Sequence, residues 1–212
     1  MPSYGEVSLV RGMNFLADCQ AAIANNLANV DTSAFKRRVG VAEQGGSDFY
    51  KLLDARLPLI DYREYASWEQ GVKRETGVKL NIALDDTRDA NGNLTVGFLK
   101  VRDAKGNDFF TRDGDMRLDN QGRLINHGNL RYLDANDKEI SLQGMTCSPE
   151  QIAISPNGTI SDPVSGLTWG PLGIHAASNP DVMQPVGSGL YHATDAQNIR
   201  LAPEVQVNQG QL

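Results

Sequence analysis

Residues 85–98 come closest to the ligand spacing of a metal site. In an EF-hand register, oxygen ligands would come from Thr87, Asp89 and Asn91, with Gly92 at the sharp turn. Threonine is a poor first ligand for calcium, and Phe98 stands where the register requires a glutamate. The stretch therefore predicts a solvated hairpin turn, and we expect no bound metal.

The other residues with catalytic potential are scattered along the chain. His127, His175 and His192 lack the i, i+3 or i, i+4 spacing of a metal site. Acidic residues are plentiful, but no motif positions a pair of them for acid–base chemistry. The sequence also lacks a Gly-x-Ser-x-Gly elbow, a P-loop and a dinucleotide fingerprint. We therefore expect no enzyme activity and no cofactor.

A cluster of asparagines is the most specific feature of the chain. Asn25, Asn26 and Asn29 lie near the end of an apolar-striped segment, just before the stop signal Asp31-Thr32. Asparagine is unfavourable inside helices because its amide competes for backbone hydrogen bonds. Three such residues in five positions are better explained if their amides find donors and acceptors on a neighbouring chain.

Apolar residues spaced alternately by four and three form a coiled-coil seam along this segment. The seam consists of Leu9, Met13, Leu16, Gln20, Ile23, Leu27 and Val30, in which Gln20 is a polar insertion. Such a narrow seam needs another helix to cover it, and no second stretch of the sequence has a helical apolar period. We expect the covering helix to belong to another molecule or to a C-terminal segment beyond this sequence. Packing of the seam on the chain's own β-domain is the alternative.

The pattern of residues divides the chain into four regions. Residues 1–36 form the helix and its signature, and residues 37–77 lack periodicity and predict an extended connector. Over residues 78–176 the apolar period becomes two, and turn residues recur about every ten positions, which is typical of antiparallel hairpins. Residues 177–212 predict an irregular return segment. The predicted fold class is therefore mainly β, with a long N-terminal α-helix, a hairpin-rich antiparallel β-domain and an extended connector.

Composition excludes several classes of partner. The 212 residues carry a net charge of −6, which argues against nucleic acid or an anionic membrane as an electrostatic partner. No stretch approaches the roughly 18 apolar residues of a membrane span. The N-terminus lacks the basic and apolar regions of a secretory signal peptide. Cys19 and Cys147 are predicted to be free thiols.

Residues 21–36 resemble the N-terminal signature of the axial proteins of the bacterial flagellum, which form its rod and hook. That signature reads approximately Ala-Asn-Asn-Leu-Ala-Asn-x-x-Thr-x-Gly-Phe-Lys. This chain matches it through Asn29, keeps Thr32 and continues with Phe35-Lys36. It departs at Ala34, where the family usually has glycine.

A second stretch, residues 109–125, is similar to the β-domain signature of the same family. Thr111, Arg112, Gly114, Asp119, Gly122 and Leu124 are in register with that signature, whereas Met116 replaces the usual aromatic residue. The pattern describes strands separated by tight turns, in which the two glycines would supply backbone freedom and Arg112 could bridge a loop carboxylate.

The resemblance implies a structural subunit of the basal-body rod that polymerises helically and transmits torque from motor to hook. Its expected partners are copies of itself and other rod and hook proteins. Its expected location is the periplasmic rod, reached through the flagellum's own type III export channel without a cleaved signal peptide. The short connector favours a proximal-rod over a distal-rod subunit. The expected subunit interface comprises Leu9, Met13, Leu16, Gln20, Ile23, Asn25, Asn26, Leu27, Asn29, Val30 and Phe35.

Two further expectations accompany this interpretation. In the family, a C-terminal helix that pairs with the N-terminal helix follows a Gln-Gly-x-Leu stretch like residues 209–212, and such a helix is absent from this sequence. The alternative function is a stand-alone β-rich binding module or adhesin with an N-terminal oligomerisation helix. That alternative explains the hairpins and the acidic charge, but it leaves the asparagine cluster unexplained.

Overall fold

The computed structural model describes residues 4–32, 34–44, 60–88, 92, 94–177 and 179–212. The chain divides into two compact units, a helix–hairpin unit (Met1–Trp68) and a β unit (Glu69–Leu212). In the described residues, a single N-terminal α-helix is followed by antiparallel strands, which confirms the predicted fold class. The finer division into four regions stays a prediction.

The helix–hairpin unit consists of α1 (Tyr4–Ala28), β1 (Arg38–Gln44) and β2 (Ile60–Ala66). The two strands pair antiparallel along their whole length, with Arg38 opposite Ala66. The sequence predicts an extended connector here, whereas the structure has a hairpin. Charged residues stand on both faces of these strands, so the period-two signal of a half-buried strand is weak.

The described residues of the β unit form short strands and three 3₁₀ turns. The turns are Pro149–Gln151, Pro180–Val182 and Ala196–Asn198. The strands are β3 (Ile82–Asp85), β4 (Thr87–Arg88), β5 (Leu94–Arg102), β6 (Asp108–Thr111), β7 (Arg117–Leu118), β8 (Leu124–Ile125), β9 (Arg131–Tyr132), β10 (Ala153–Ile154), β11 (Ile160–Ser161), β12 (Thr168–Trp169), β13 (Ile174–Ala177), β14 (Met183–Gly187), β15 (Leu190–Ala193), β16 (Ile199–Leu201) and β17 (Gln206–Gln209).

The strand β5 lies at the centre of the main sheet, whose order is β14-β15-β6-β5-β9-β8-β7. It also pairs with β4 and β13, and β13 pairs in turn with β16. Residues 95–99 of β5 are all buried, as expected for a strand covered on both faces. Smaller sheets join β10-β11-β12 and β17-β3.

One apolar core fills the β unit and draws on the strands and on the loops between them. Its fully buried members include Ile82, Leu99, Leu124, Tyr132 and Val205. Val205 belongs to the segment 177–212, which the sequence predicts to be irregular. The structure places β14 to β17 there, and Pro185 is tolerated because β14 lies at the edge of the sheet.

The same five-residue turn recurs in the described part of the β unit, beginning at Asp103, Asp119, Asn126, Asp134 and Ser155. In each copy the first N–H donates to the fifth carbonyl, and the fourth N–H donates to the first carbonyl. The fourth residue has a φ between 59° and 91°. In the first four copies the leading side chain also accepts hydrogen bonds from the third and fifth N–H groups. These bonds are the physical reason for the Asp, Asn and Gly residues that predict turns here.

An extended segment, residues 69–78, opens the β unit. The N–H of Arg74 donates to the carbonyl of Leu212 at 2.7 Å, and the N–H of Leu212 donates back at 3.0 Å. The Gln70 amide accepts from the N–H of Asp86 and donates to the Asp85 carboxylate. These bonds hold the segment against β3 and against the residues that follow β17.

Candidate subunit interface

Two stripes of α1 have different environments in the structure. The first stripe, which we call the packing stripe, consists of Phe15, Cys19, Ala22 and Asn26. The ring of Phe15 meets the ring of Tyr62 on β2 edge-on, with 5.9 Å between their centroids. Ala22 is buried, and Cys19 is half-buried. This stripe lies against the β1–β2 hairpin.

The second stripe is the predicted seam, and its large side chains lie on the surface. Their exposed fractions run from 61% for Met13 to 72% for Leu27 and Val30, and Gln20 is exposed as well. Val30 lies beyond the end of α1 at Ala28. With 3.6 residues per turn, the seam lies about a quarter turn from the packing stripe. The hairpin therefore leaves the seam uncovered.

The asparagines of the cluster have different surroundings. The Asn26 amide bonds to the backbone of Arg38, at 2.8 and 2.9 Å. The Asn29 amide donates to the carbonyl of Asn25 at 2.8 Å, and the same carbonyl also accepts from the backbone N–H of Asn29 at 3.2 Å. The side chain of Asn25 is exposed, and Phe35 is half-buried. Two of the three amides thus find partners inside the chain, whereas the sequence suggested a neighbouring chain.

Sequence reasoning overlooked the packing stripe, although its signal is present. Phe15, Cys19, Ala22 and Asn26 follow the same alternation of four and three as the seam. Three of the four side chains are small or polar, so a count of large apolar residues passes over the stripe. The assignment of the seam, of Asn25, Asn26 and Asn29, and of Phe35 to a subunit interface stays a prediction.

The packing of α1 on the hairpin changes the pKa of Tyr62, a residue of β2. Burial raises the pKa of Tyr62, and the carboxylate of Glu64 adds to the rise. Its hydroxyl has no hydrogen-bond partner among the described residues. Gly40 lies so close to the Tyr62 ring that an added Cβ would come within 2.8 Å of the hydroxyl oxygen. Any residue other than glycine at position 40 would therefore force the Tyr62 ring to move.

The second family-like stretch forms a buried ion pair in the β unit. The Arg112 guanidinium donates to the two carboxylate oxygens of Asp86 at 2.6 and 3.1 Å, and also to the carbonyl of Gly97 at 2.8 Å. The two charged side chains are only 8% and 1% exposed. The predicted bridge from Arg112 to a loop carboxylate is confirmed, and it ties β5 to the segments on either side of it.

Both cysteines are free, and Cys147 is buried. Among the described residues, no three His, Cys, Asp or Glu side chains are grouped as they would be around a metal ion. The calcium-like register includes Asp89 and Asn91, which lie outside the described residues. Among the described residues, no helix is both long enough and apolar enough to cross a membrane.

Two separate regions of the chain match families of flagellar proteins. Residues 8–36, which contain α1 and the asparagine cluster, match the family described as flagella basal body rod protein. Residues 90–162 of the β unit match the FlgE/F/G D1 domain of flagellar hook proteins. These two matches, together with the relatives named below, support the flagellar basal-body rod protein family.

Individual flagellar basal-body rod proteins are similar to this chain over most of its length. The flagellar basal-body rod protein FlgF of Caulobacter vibrioides is 24% identical over 193 residues, which cover 90% of this chain and 73% of the relative. The flagellar basal-body rod protein FlgG of Buchnera aphidicola subsp. Acyrthosiphon pisum is 29% identical over 192 residues, 82% of this chain and 68% of the relative. The chain is thus a structural rod protein of the flagellar basal body, as the sequence predicts.

Proposed function

We propose that this rod protein assembles with copies of itself and with other flagellar rod and hook proteins through the seam of α1. The observation that supports the proposal is the row of large apolar side chains that are 61–72% exposed. Burial of one such side chain contributes about 1.5–3 kcal/mol. A seam of six residues therefore offers on the order of 10 kcal/mol against the cost of association.

The proposed role is mechanical and involves no catalysis. Head-to-tail contacts between different surfaces of identical subunits generate open helices rather than closed pairs. A helical rod assembled in this way would transmit torque from motor to hook through many repeated contacts. The short connector seen in the sequence favours a proximal-rod over a distal-rod position.

Fractionation of cells that produce a tagged full chain tests the proposal. The tagged protein should co-purify with hook–basal bodies, and its amount should stay constant when the particles are washed in moderate salt, because the seam contact is apolar. Recovery on the cell surface or in the medium, with none in the particles, would support the stand-alone binding module and contradict the proposal.

A further inference from the structure

The side-chain amide of Asn26 makes with the backbone of Arg38 the pair of hydrogen bonds that a neighbouring β-strand would otherwise make. Its Oδ1 accepts a hydrogen bond from the N–H of Arg38 at 2.9 Å, and its Nδ2 donates to the carbonyl of the same residue at 2.8 Å. A carboxamide can do this because it presents one acceptor and one donor side by side. Arg38 is the first residue of β1, so the bonds join the end of α1 to the start of the hairpin.

The other contacts of the packing stripe are less directional. The edge-on contact of Phe15 with Tyr62 and the burial of Ala22 hold α1 on the hairpin but tolerate some sliding and rotation. The paired bonds of Asn26 depend on distance and on angle. Among the described contacts of α1 with the hairpin, they are the ones best able to fix the rotation of the helix about its axis.

We propose that Asn26 is a positioning residue for assembly, whose two bonds to Arg38 hold α1 in the rotation that turns the seam outward. The inference rests on the proposed function of the seam. Asn26 itself lies in the packing stripe, about a quarter turn from the seam, and does not need to touch a neighbouring subunit. Its effect on assembly passes through the orientation of Leu16, Ile23 and their seam neighbours.

Three variants of the full chain test this role. Asn26→Ala removes both bonds. Asn26→Asp keeps the size of the side chain and one acceptor, but it places a carboxylate against the Arg38 carbonyl. Asn14→Asp is the matched control, because it makes the same change from amide to carboxylate on an exposed side chain of α1 that lies away from the seam and away from the packing stripe.

Amide hydrogen exchange gives the first measurement. In purified full chain, the protection of the Arg38 N–H should fall about tenfold in Asn26→Ala, which is the ratio expected for one lost hydrogen bond. Amides of β5 serve as the internal reference and should stay unchanged in all variants. An Arg38 amide that is unprotected in the parent chain, or equally protected in Asn26→Ala, would overturn the proposal.

Titration by NMR gives a readout that a merely space-filling residue would not change. The carboxyl introduced by Asn26→Asp should have a pKa above the usual value of about 3.9, because only its protonated form can both donate to and accept from Arg38. The carboxyl introduced by Asn14→Asp is exposed and lies away from both ends of α1, so its pKa should be close to the usual value. Equal pKa values at the two positions would contradict the paired bonds.

Assembly in cells separates this inference from the proposed function. If both hold, the parent chain and Asn14→Asp enter hook–basal bodies, and Asn26→Ala and Asn26→Asp enter them at clearly reduced levels. If the parent chain is absent from the particles, the proposed function fails. If the parent chain and both Asn26 variants enter equally, the proposed function stands and the positioning role of Asn26 is wrong.

Discussion

Ala34 holds a backbone conformation that its methyl group disfavours. Its φ is 60°, in the left-handed region, where a side chain costs roughly 1–2 kcal/mol relative to the usual conformation. The residue follows the end of α1 and precedes β1, so it lies in the reversal between the two elements of the helix–hairpin unit. Glycine, which the related signature usually has at this position, would adopt this φ without a steric penalty.

Ala34→Gly should therefore stabilise the helix–hairpin unit by about 0.5–1 kcal/mol, the part of the strain left after the greater freedom of glycine in the unfolded chain is subtracted. Urea unfolding monitored at the helical circular dichroism signal measures the change. Ala24→Gly, inside α1, is the control and should lower stability by about 1 kcal/mol. A loss of stability in both variants would show that residue 34 carries no strain.

At the scale of elements, one close contact determines how β3 meets the loop before β7. The N–H of Ile82 donates to the carbonyl of Gly114 at 3.0 Å. A Cβ on Gly114 would lie 1.8 Å from the carbonyl oxygen of Ile82, and backbone cannot move aside as a flexible side chain can. Gly114 does not adopt a positive φ, so its role is close approach rather than the backbone freedom that the sequence suggested.

Gly114→Ala should cost about 3 kcal/mol of the stability of the β unit, because the loop backbone at Gly114 and the backbone of β3 must move apart. Thermal unfolding monitored by near-ultraviolet circular dichroism would show the loss. Gly71→Ala is the control in the same unit, since nothing lies within 4 Å of the added methyl group and its φ is ordinary. Equal melting temperatures for the parent chain and Gly114→Ala would rule out the steric explanation.

The elements also show what the sequence could predict. Turns such as those at Gly122 and Gly158 are local, because the residues that form them are the residues that bond in them, and these predictions are confirmed. The close approach at Gly114 depends on Ile82, 32 positions earlier, and the partner of Asn26 lies 12 positions later. A pattern within a short stretch of sequence does not contain these distant partners. The sequence therefore indicates that Gly114 and Asn26 matter, but it does not predict the contacts that they make.

At the scale of the whole molecule, the shifted carboxylates give stability a common dependence on pH. A hydrogen bond from Arg102 lowers the pKa of Asp108, and one from Arg200 lowers the pKa of Glu204. Burial alone would raise the pKa of Asp85, but hydrogen bonds from neighbouring side chains outweigh it. Each group binds fewer protons folded than unfolded, so its contribution is present above the ordinary value and is lost as the pH falls below it.

The unfolding midpoint of the full chain should therefore be nearly constant down to about pH 5 and fall steadily below pH 4. Urea titrations at a series of pH values measure this profile. Asp108→Asn should flatten the acid limb, because one depressed carboxylate is removed. At the alkaline end burial raises the pKa of Tyr132, so stability should fall as the pH rises past the ordinary value of 10.0. A midpoint that rises below pH 4 would contradict these signs.

The last prediction concerns the exposed seam, where a change in one side chain of a subunit should alter the function of the whole assembly. Leu16 is 67% exposed, so Leu16→Asp should leave the folded monomer and the melting temperature of the β unit unchanged. In the assembled rod the same carboxylate would be buried without a partner, at a cost of about 3 kcal/mol or more per contact. Swimming should be lost and the variant should be missing from hook–basal bodies.

The control for that substitution is Asn14→Asp, which adds the same charge to an exposed position of α1 away from the seam and away from the packing stripe. Because it introduces no charge into the apolar contact, cells with this variant should swim normally. Equal motility of the two variants would show that the seam stays exposed in the rod. Loss of motility in both would mean that the added charge disturbs export or the helix itself, and the seam would then have no special role.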